Sequence, residues 1–269
     1  MAQVVPGLPV EGDSNKTESA YRILRQAILD ARLAPGTPLR RSSLYDTYGI
    51  GWTPLREALS RLESERLVTM QRNRGFTVAP VSLAELDDLT RARRALELAM
   101  LPESIEQGDA SWEDALVAAH YRFEKSALQL EQRSEAKITH WMDRHQAFHQ
   151  ILLGGSSSPW LTHLYRQIMD QVRRHQRVLM VEPLLQEVEV SSRTSQPTPF
   201  VSEFLDFMDI RHHTDLMEAA LDRDVARATA SMIAHFNFRA AVLSKIQLSA
   251  QRTEAVQAGS RPSGGTTGP

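Results

Sequence analysis

The sequence predicts a mostly α chain in two parts: a small basic module of three helices and a hairpin, then a larger antiparallel bundle made of helices alone. Three observations predict it. Apolar residues recur at helical spacing over most of the chain, in stretches rich in Leu, Ala, Arg and Glu. Short β-prone runs around a glycine turn occur between Leu67 and Val78. Charge is divided unevenly: residues 16–80 hold 11 Lys/Arg against 6 Asp/Glu, while the whole chain has a net charge of −2. A basic module on an acidic body suits a polyanionic partner.

Residues 1–15 lack apolar periodicity and read as a loose arm. The first helix is expected over roughly 18–32, with Ala20, Ile23, Leu24, Ala27, Ile28 and Ala31 on one face. Ala34-Pro35-Gly36-Thr37-Pro38 stops it. A second helix is expected over 41–48, ended by Gly49. A third follows, with Thr53 as its cap, Pro54 at its first position and Leu55, Leu59 and Leu62 buried. Leu67–Met70 and Phe76–Val78, around Gln71-Arg72-Asn73-Arg74-Gly75, make the hairpin. Three helices and a hairpin in this order, over 16–80, are a winged helix-turn-helix, a DNA-binding module.

From 82 to 248 the pattern is helical, with helices expected at 82–107, 111–131, 134–154, 158–181, 201–222 and 223–248. A surface loop is expected between Glu187 and Phe200, and the Gly/Pro/Ser-rich stretch 249–269 reads as a disordered tail.

Composition sets bounds on function. The chain has 269 residues and no cysteine, which excludes disulfides and thiolate-ligated metal sites, so any metal falls to His and carboxylates. No apolar run reaches the roughly 18 residues of a membrane span, and no secretory signal is legible, so a cytoplasmic protein without membrane attachment is expected. No HExxH motif or nucleophile triad is present. A His-ligated metalloenzyme and a helical scaffold are the alternatives to a non-enzymatic DNA-binding regulator.

The stretch from Tyr21 to Leu39, Thr53-Pro54-Leu55-Arg56-Glu57-Ala58-Leu59 with Leu62-Glu63 and Leu67-Val68, and Arg74-Gly75-Phe76-Thr77-Val78 resemble the opening, recognition helix and wing of GntR-family transcription regulators. The resemblance implies a homodimer that binds an inverted-repeat operator in double-stranded DNA. Thr53, Pro54, Arg56, Trp52, Arg72, Arg74 and Gly75 are the expected DNA-binding residues. Arg56 lies in the first turn of the third helix, the end that enters the major groove; alternatively it pairs with Glu57 or Glu63. Two departures bear on specificity. Gly51 and Trp52 stand where many relatives have Ser-Arg or Thr-Arg, and indole cannot make that arginine's bidentate contact with guanine. Arg41 and Ser42 replace the acidic and basic residues common before the second helix's leucine. Trp52 either packs in the domain or touches a thymine methyl.

Arg93-Arg-Ala-Leu-Glu97, His145-Gln-Ala-Phe-His149 and His213-Thr-Asp-Leu-Met-Glu-Ala219 with Asp224, Ala228 and His235 resemble the FCD ligand-binding domain of the FadR-type branch of that family. The resemblance implies a divalent metal held by one Asp and three His. Here His145 occupies the Asp position, one turn from His149, so the implied set is His145, His149, His213 and His235. Imidazole suits zinc, nickel or copper, and zinc or nickel is the expected ion. A metal-free polar pocket built from the same residues is the alternative. The resemblance further implies a small carboxylate effector, with Arg174 of the Arg173/Arg174/His175/Arg177 cluster as its binding residue unless that cluster is a solvated stripe. A repressor released by a small organic acid is the reading that results.

Overall fold

The computed structural model describes residues 11–72, 75–127, 134–185, 202 and 210–259, without the side chains of 11–14, 127 and 246–259. The elements are α1 (Glu11–Leu29), α2 (Arg41–Tyr48), α3 (Trp52–Ser64), β1 (Val68–Gln71), β2 (Gly75–Val78), α4 (Leu83–Gln107), α5 (Ala110–Ala127), α6 (Glu135–Leu152), α7 (Pro159–Gln176) with a π-helical turn Arg177–Val181, α8 (Arg211–Leu221) and α9 (Val225–Gly259). They form two compact units, residues 1–91 with 165–180 and residues 92–164 with 181–269.

In the first unit, α1 and α3 pack through Ala20, Leu24, Ile28, Leu55, Leu59 and Leu62, and Leu44 of α2 and Val68 and Val78 of the hairpin join the same core. Gly49 closes α2 with φ 67°, and its N–H meets Tyr45 O at 2.8 Å. Glycine adopts this left-handed position without the Cβ penalty. The strands pair antiparallel from Val68↔Val78 to Gln71↔Gly75, and Pro38 bridges Thr77 from the segment that stops α1. The expected helix-helix-helix-hairpin order is present.

Helix α3 starts earlier than expected. Gly51 is its N-cap, no side chain caps it, and Leu55 N–H to Gly51 O is its first bond at 3.1 Å. Thr53 is therefore inside the first turn instead of capping it. Pro54 is tolerated there because first-turn N–H groups lack helical acceptors anyway. Helix α1 also begins earlier, at Glu11, so residues 11–15 of the expected arm are helical. It ends at Leu29, before Ala31, whose φ is 56°.

The larger difference is Tyr165–Met180, expected with the bundle but packed with the winged helix. Its polar side chains answer a local need. The last carbonyls of a helix have no intrahelical donor. Gln171 Nε2 donates to Glu65 O at the end of α3 at 2.8 Å, and Arg177 Nε donates to Asp30 O after α1 at 2.8 Å. Cationic donors also complement the negative end of a helix. Arg25 pairs with both Glu65 and Asp170. His175 Nε2 lies 3.0 Å from Glu85 Oε2.

In the second unit, α5 packs on α6 and α8 on α9, around Leu101, Phe123, Trp141, Phe148, Leu216 and Met232. Gly155 lets Ser104 approach: a Cβ there would lie 2.5 Å from Ser104 O. Ser104 Oγ donates to Leu152 O at 2.6 Å and accepts Gly155 N–H at 2.8 Å, tying α4 to the end of α6. Arg223, in the turn between α8 and α9, donates to Ile105 O and Gly108 O at the end of α4. Helix α9 runs to Gly259, through the first part of the expected tail. Ala, Gln, Arg and Glu dominate that extension and are good helix formers. The expected loop 187–200 and residues 260–269 lie outside the described residues.

Candidate functional site

Two sets of residues, one in each unit, have the geometry of functional sites. The first is the surface at the N-termini of α2 and α3. Trp52 is the first residue of α3 and is 51% exposed, so it is not a core residue. Thr53 and Arg56 are exposed beside it, and Pro54 is half-buried. Arg56 pairs with neither Glu57 nor Glu63; Glu57 instead accepts from Thr17 Oγ1 at 2.8 Å. Arg72 is exposed at the end of the wing strand, and Gly75 opens the next strand with φ 78°. Arg74 lies outside the described residues.

The arginines between residues 16 and 72 fall into two groups. Arg22, Arg25, Arg32 and Arg61 are each paired with a carboxylate. Arg40, Arg41, Arg56 and Arg72 have no carboxylate partner among the described residues. These four sit at the start of α2, the start of α3 and the wing, where both helices also direct unbonded N–H groups outward. Arg66, after α3, is the exception in position. Arg40 and Arg41 were not among the expected DNA-binding residues. Arg41 carries its guanidinium carbon 5.4 Å from the centre of the Trp52 ring. The run Arg40-Arg41 opening a helix was the signal available for finding them.

The second set lies inside the helical unit. Helix α6 supplies His145 and His149 at i, i+4, α8 supplies His213, and α9 supplies His235. All four are buried, and one nitrogen from each lies within 4.8 Å of the others. Trp141 stacks on His145 with ring centres 5.2 Å apart, and Phe123 meets His213 edge-on at 4.9 Å, so aromatic walls exclude water from this side. Burial lowers the pKa of all four imidazoles, followed for His145 by the Arg239 charge and for His213 and His235 by neighbouring histidines. They are neutral at pH 7 as a result.

Glu97 and Arg93, on α4, complete the site. His149 Nδ1 lies 3.0 Å from Glu97 Oε2 and donates to it, which leaves the His149 Nε2 lone pair directed away from the carboxylate. Arg93 Nε donates to the other carboxylate oxygen. Burial works to raise the Glu97 pKa, but the Arg93 guanidinium and His149 pull it down to about 2. Arg239, one turn after His235, is buried with Nη1 3.4 Å from His145 Nε2. Reading the sequence by motif reached Arg93 and Glu97 as family signature but gave them no role, and missed Arg239.

The fit to a metal rests on unsatisfied atoms. His149 Nε2, both nitrogens of His213 and His235 Nε2 are buried without a hydrogen-bond partner. A buried orphan of this kind costs about 1–3 kcal/mol, and three rings facing one point share the same unmet need. A divalent cation would meet it, with Glu97 in the orienting position behind His149. Arg174, expected at this site, belongs to the other unit. Its buried guanidinium donates to Ala79 O, and to Pro80 O at 3.2 Å, at the end of the wing. It fastens backbone there because those carbonyls leave the strand without ladder partners.

Residues 16–78 match the model of the bacterial regulatory proteins of the gntR family, and residues 88–238 match the FCD domain. The chain is a GntR-family regulator with an FCD domain. It is 33% identical to the HTH-type transcriptional repressor GlaR of Escherichia coli K12 over 80% of this chain and 90% of that protein. It is 29% identical to the HTH-type transcriptional regulator BphR of Paraburkholderia xenovorans LB400 over 90% of each. Among solved structures, a putative GntR regulator from Rhodococcus sp. RHA1 superposes with a TM-score of 0.60, covering 86% of this chain and 98% of that one at 21% identity. Escherichia coli McbR/YncC superposes with a TM-score of 0.59, covering 86% and 97% at 20% identity. Those two likenesses establish the fold. The regulator is therefore a ligand-responsive DNA-binding protein, not an enzyme, and no helix among its described residues is long and apolar enough to cross a membrane.

Proposed function

We propose that this GntR-family regulator is a cytoplasmic homodimeric repressor. It binds an inverted-repeat operator through Trp52, Thr53, Pro54 and Arg56 and through the wing residues Arg72, Arg74 and Gly75. A small organic acid releases it. The repressor sense follows its likeness to GlaR, a named repressor.

The observation that carries the sensing half is the set of orphan nitrogens on the buried rings of His149, His213 and His235. These residues, with His145, hold one divalent metal, zinc or nickel. An ion that keeps a position beyond its histidine ligands would offer it to a carboxylate oxygen. The chain's own residues do the rest. Glu97 fixes the tautomer and rotation of His149. Phe123, Trp141 and Phe148 keep water out, which strengthens every charge interaction inside. Arg239 takes the role expected of Arg174, because its guanidinium lies beside His145 and a carboxylate is its natural complement. The effector shifts DNA binding only as far as its affinity differs between the operator-competent and released arrangements.

The test is joint. Protein purified without a His-tag is analysed for metal, then titrated by calorimetry with a panel of small mono- and dicarboxylates. Wild type is expected to carry one divalent ion per chain. His149→Ala and His235→Ala should lose metal and effector affinity together and still bind operator without effector. Metal-free wild type with full effector affinity would instead establish a polar pocket built from the same residues.

A further inference from the structure

We propose that Arg41 reads operator sequence, and that the exposed face of Trp52 holds it in place, so that the two side chains act as one reading unit shared by α2 and α3. Arg41 is the first residue of α2 and Trp52 the first residue of α3. The guanidinium carbon lies 5.4 Å from the indole centre, within cation–π range. The contact turns Arg41 away from its own helix axis and toward the first turn of the recognition helix. That turn is the part of a helix-turn-helix that reaches base edges.

Three further features point the same way. Arg41 has no carboxylate partner among the described residues, so its charge is not already neutralised. Contact with a flat ring restricts a long side chain that otherwise loses rotamer freedom on binding, and a guanidinium held this way can still offer its fork for a bidentate contact. Tyr45, one turn beyond Arg41 on the same face of α2, is 62% exposed, and Trp52 is 51% exposed. A phosphate contact alone needs only a solvated arginine, with no indole under it.

The arrangement also accounts for the departure at position 52. Indole cannot accept or donate in the bidentate pattern that guanine O6 and N7 require. Arg41 brings a guanidinium beside the residue at position 52 from the neighbouring helix. The base read is then guanine, displaced in register from one read by a side chain at position 52 itself, with the indole edge available to a neighbouring thymine methyl.

Selection of binding sites from a randomised duplex pool tests this, with full-length wild type, Arg41→Ala, Trp52→Ala and Trp52→Phe compared at one salt concentration. Arg41→Ala and Trp52→Ala are expected to erase preference at the same symmetry-related guanine positions, with affinity for the wild-type site falling about tenfold or more. Trp52→Phe, which keeps an aromatic face, is expected to retain that preference. If Trp52→Ala fails to fold, Arg41→Ala and Trp52→Phe decide the question between them. Arg41→Ala that weakens all sequences equally and flattens the salt dependence would make Arg41 a phosphate contact and overturn the proposal. Preferences lost at different positions in the two alanine variants, or unchanged in both, would overturn it equally.

Discussion

Arg56 on the recognition helix and His213 in the bundle both have nitrogens without protein partners, but under opposite conditions. Arg56 is exposed, and water satisfies it at no cost to the fold. His213 is buried, and its unmet hydrogen bonds are paid in stability until a ligand arrives. The contrast teaches how each site must respond to change. Residues on the DNA surface are expected to alter binding while leaving folding alone. Residues around the His cluster are expected to alter both, because there the ligand and the core are one structure.

Glu97→Ala gives the sharpest contrast. It leaves Arg93 buried without its carboxylate, so unfolding free energy should fall by about 3–5 kcal/mol in denaturant titration. Glu97→Gln keeps the shape, and should cost less stability while weakening metal binding roughly 10- to 100-fold. Equal loss of stability in both variants would mean that Glu97 serves packing rather than the metal.

Acid should act on the bundle before it acts on the DNA surface. The pKa values of His145, His213 and His235 are lowered well below 6.5 in the folded chain. The unfolded chain therefore binds more protons as pH falls below about 6.5, and stability declines from there downward. Above that pH both states hold neutral imidazole and the contribution is constant. Protonation also competes with metal, so its effect has the same sign. Thermal melting between pH 7.5 and 5 should show the decline, and a flat profile would contradict the burial of these rings.

Arg174→Met moves the comparison into the first unit. The variant removes donors from Ala79 O and Pro80 O, and should lower stability by about 1–3 kcal/mol. Calorimetric affinity for organic acids should be unchanged, because Arg174 is committed to the winged helix. Reduced effector affinity in a stable Arg174→Met variant would return this residue to the effector site.

Smallest in folding and specific in binding is Arg56→Ala. Operator affinity should fall by about 1–3 kcal/mol if the side chain reads a base, with melting temperature nearly unchanged. Arg72→Ala should weaken all sequences alike and reduce the salt slope by about one. A large melting shift in either variant would show that the surface is structural.

Most of the fold was legible because its signals are local. Gly49, the Ala34–Pro38 stop and the Gly75 turn each specify a boundary by backbone chemistry. The four histidines were legible through the resemblance to the FCD domain; spacing alone gives only His145 and His149, whose i, i+4 separation fixes a shared face. Three features were not. Tyr165–Met180 has ordinary helical periodicity, and nothing in its pattern says that Gln171 and Arg177 cap carbonyls some 106 and 147 residues away in sequence. Arg174 and Arg239 are both arginines on amphipathic helices, and only packing decides which meets backbone and which meets imidazole. Arg41 and Trp52 are eleven residues apart on different helices, so their contact has no periodic signature.

The central claim is that operator release runs through the metal-binding His cluster. It is tested by titrating the protein–operator complex with the organic-acid panel, once with metal-replete protein and once with the same protein stripped by a chelator. Binding without effector should be retained in both samples. Metal-replete protein should release DNA on adding at least one acid, stripped protein should not, and restoring zinc or nickel should restore release. Equal release by the stripped protein would contradict the claim.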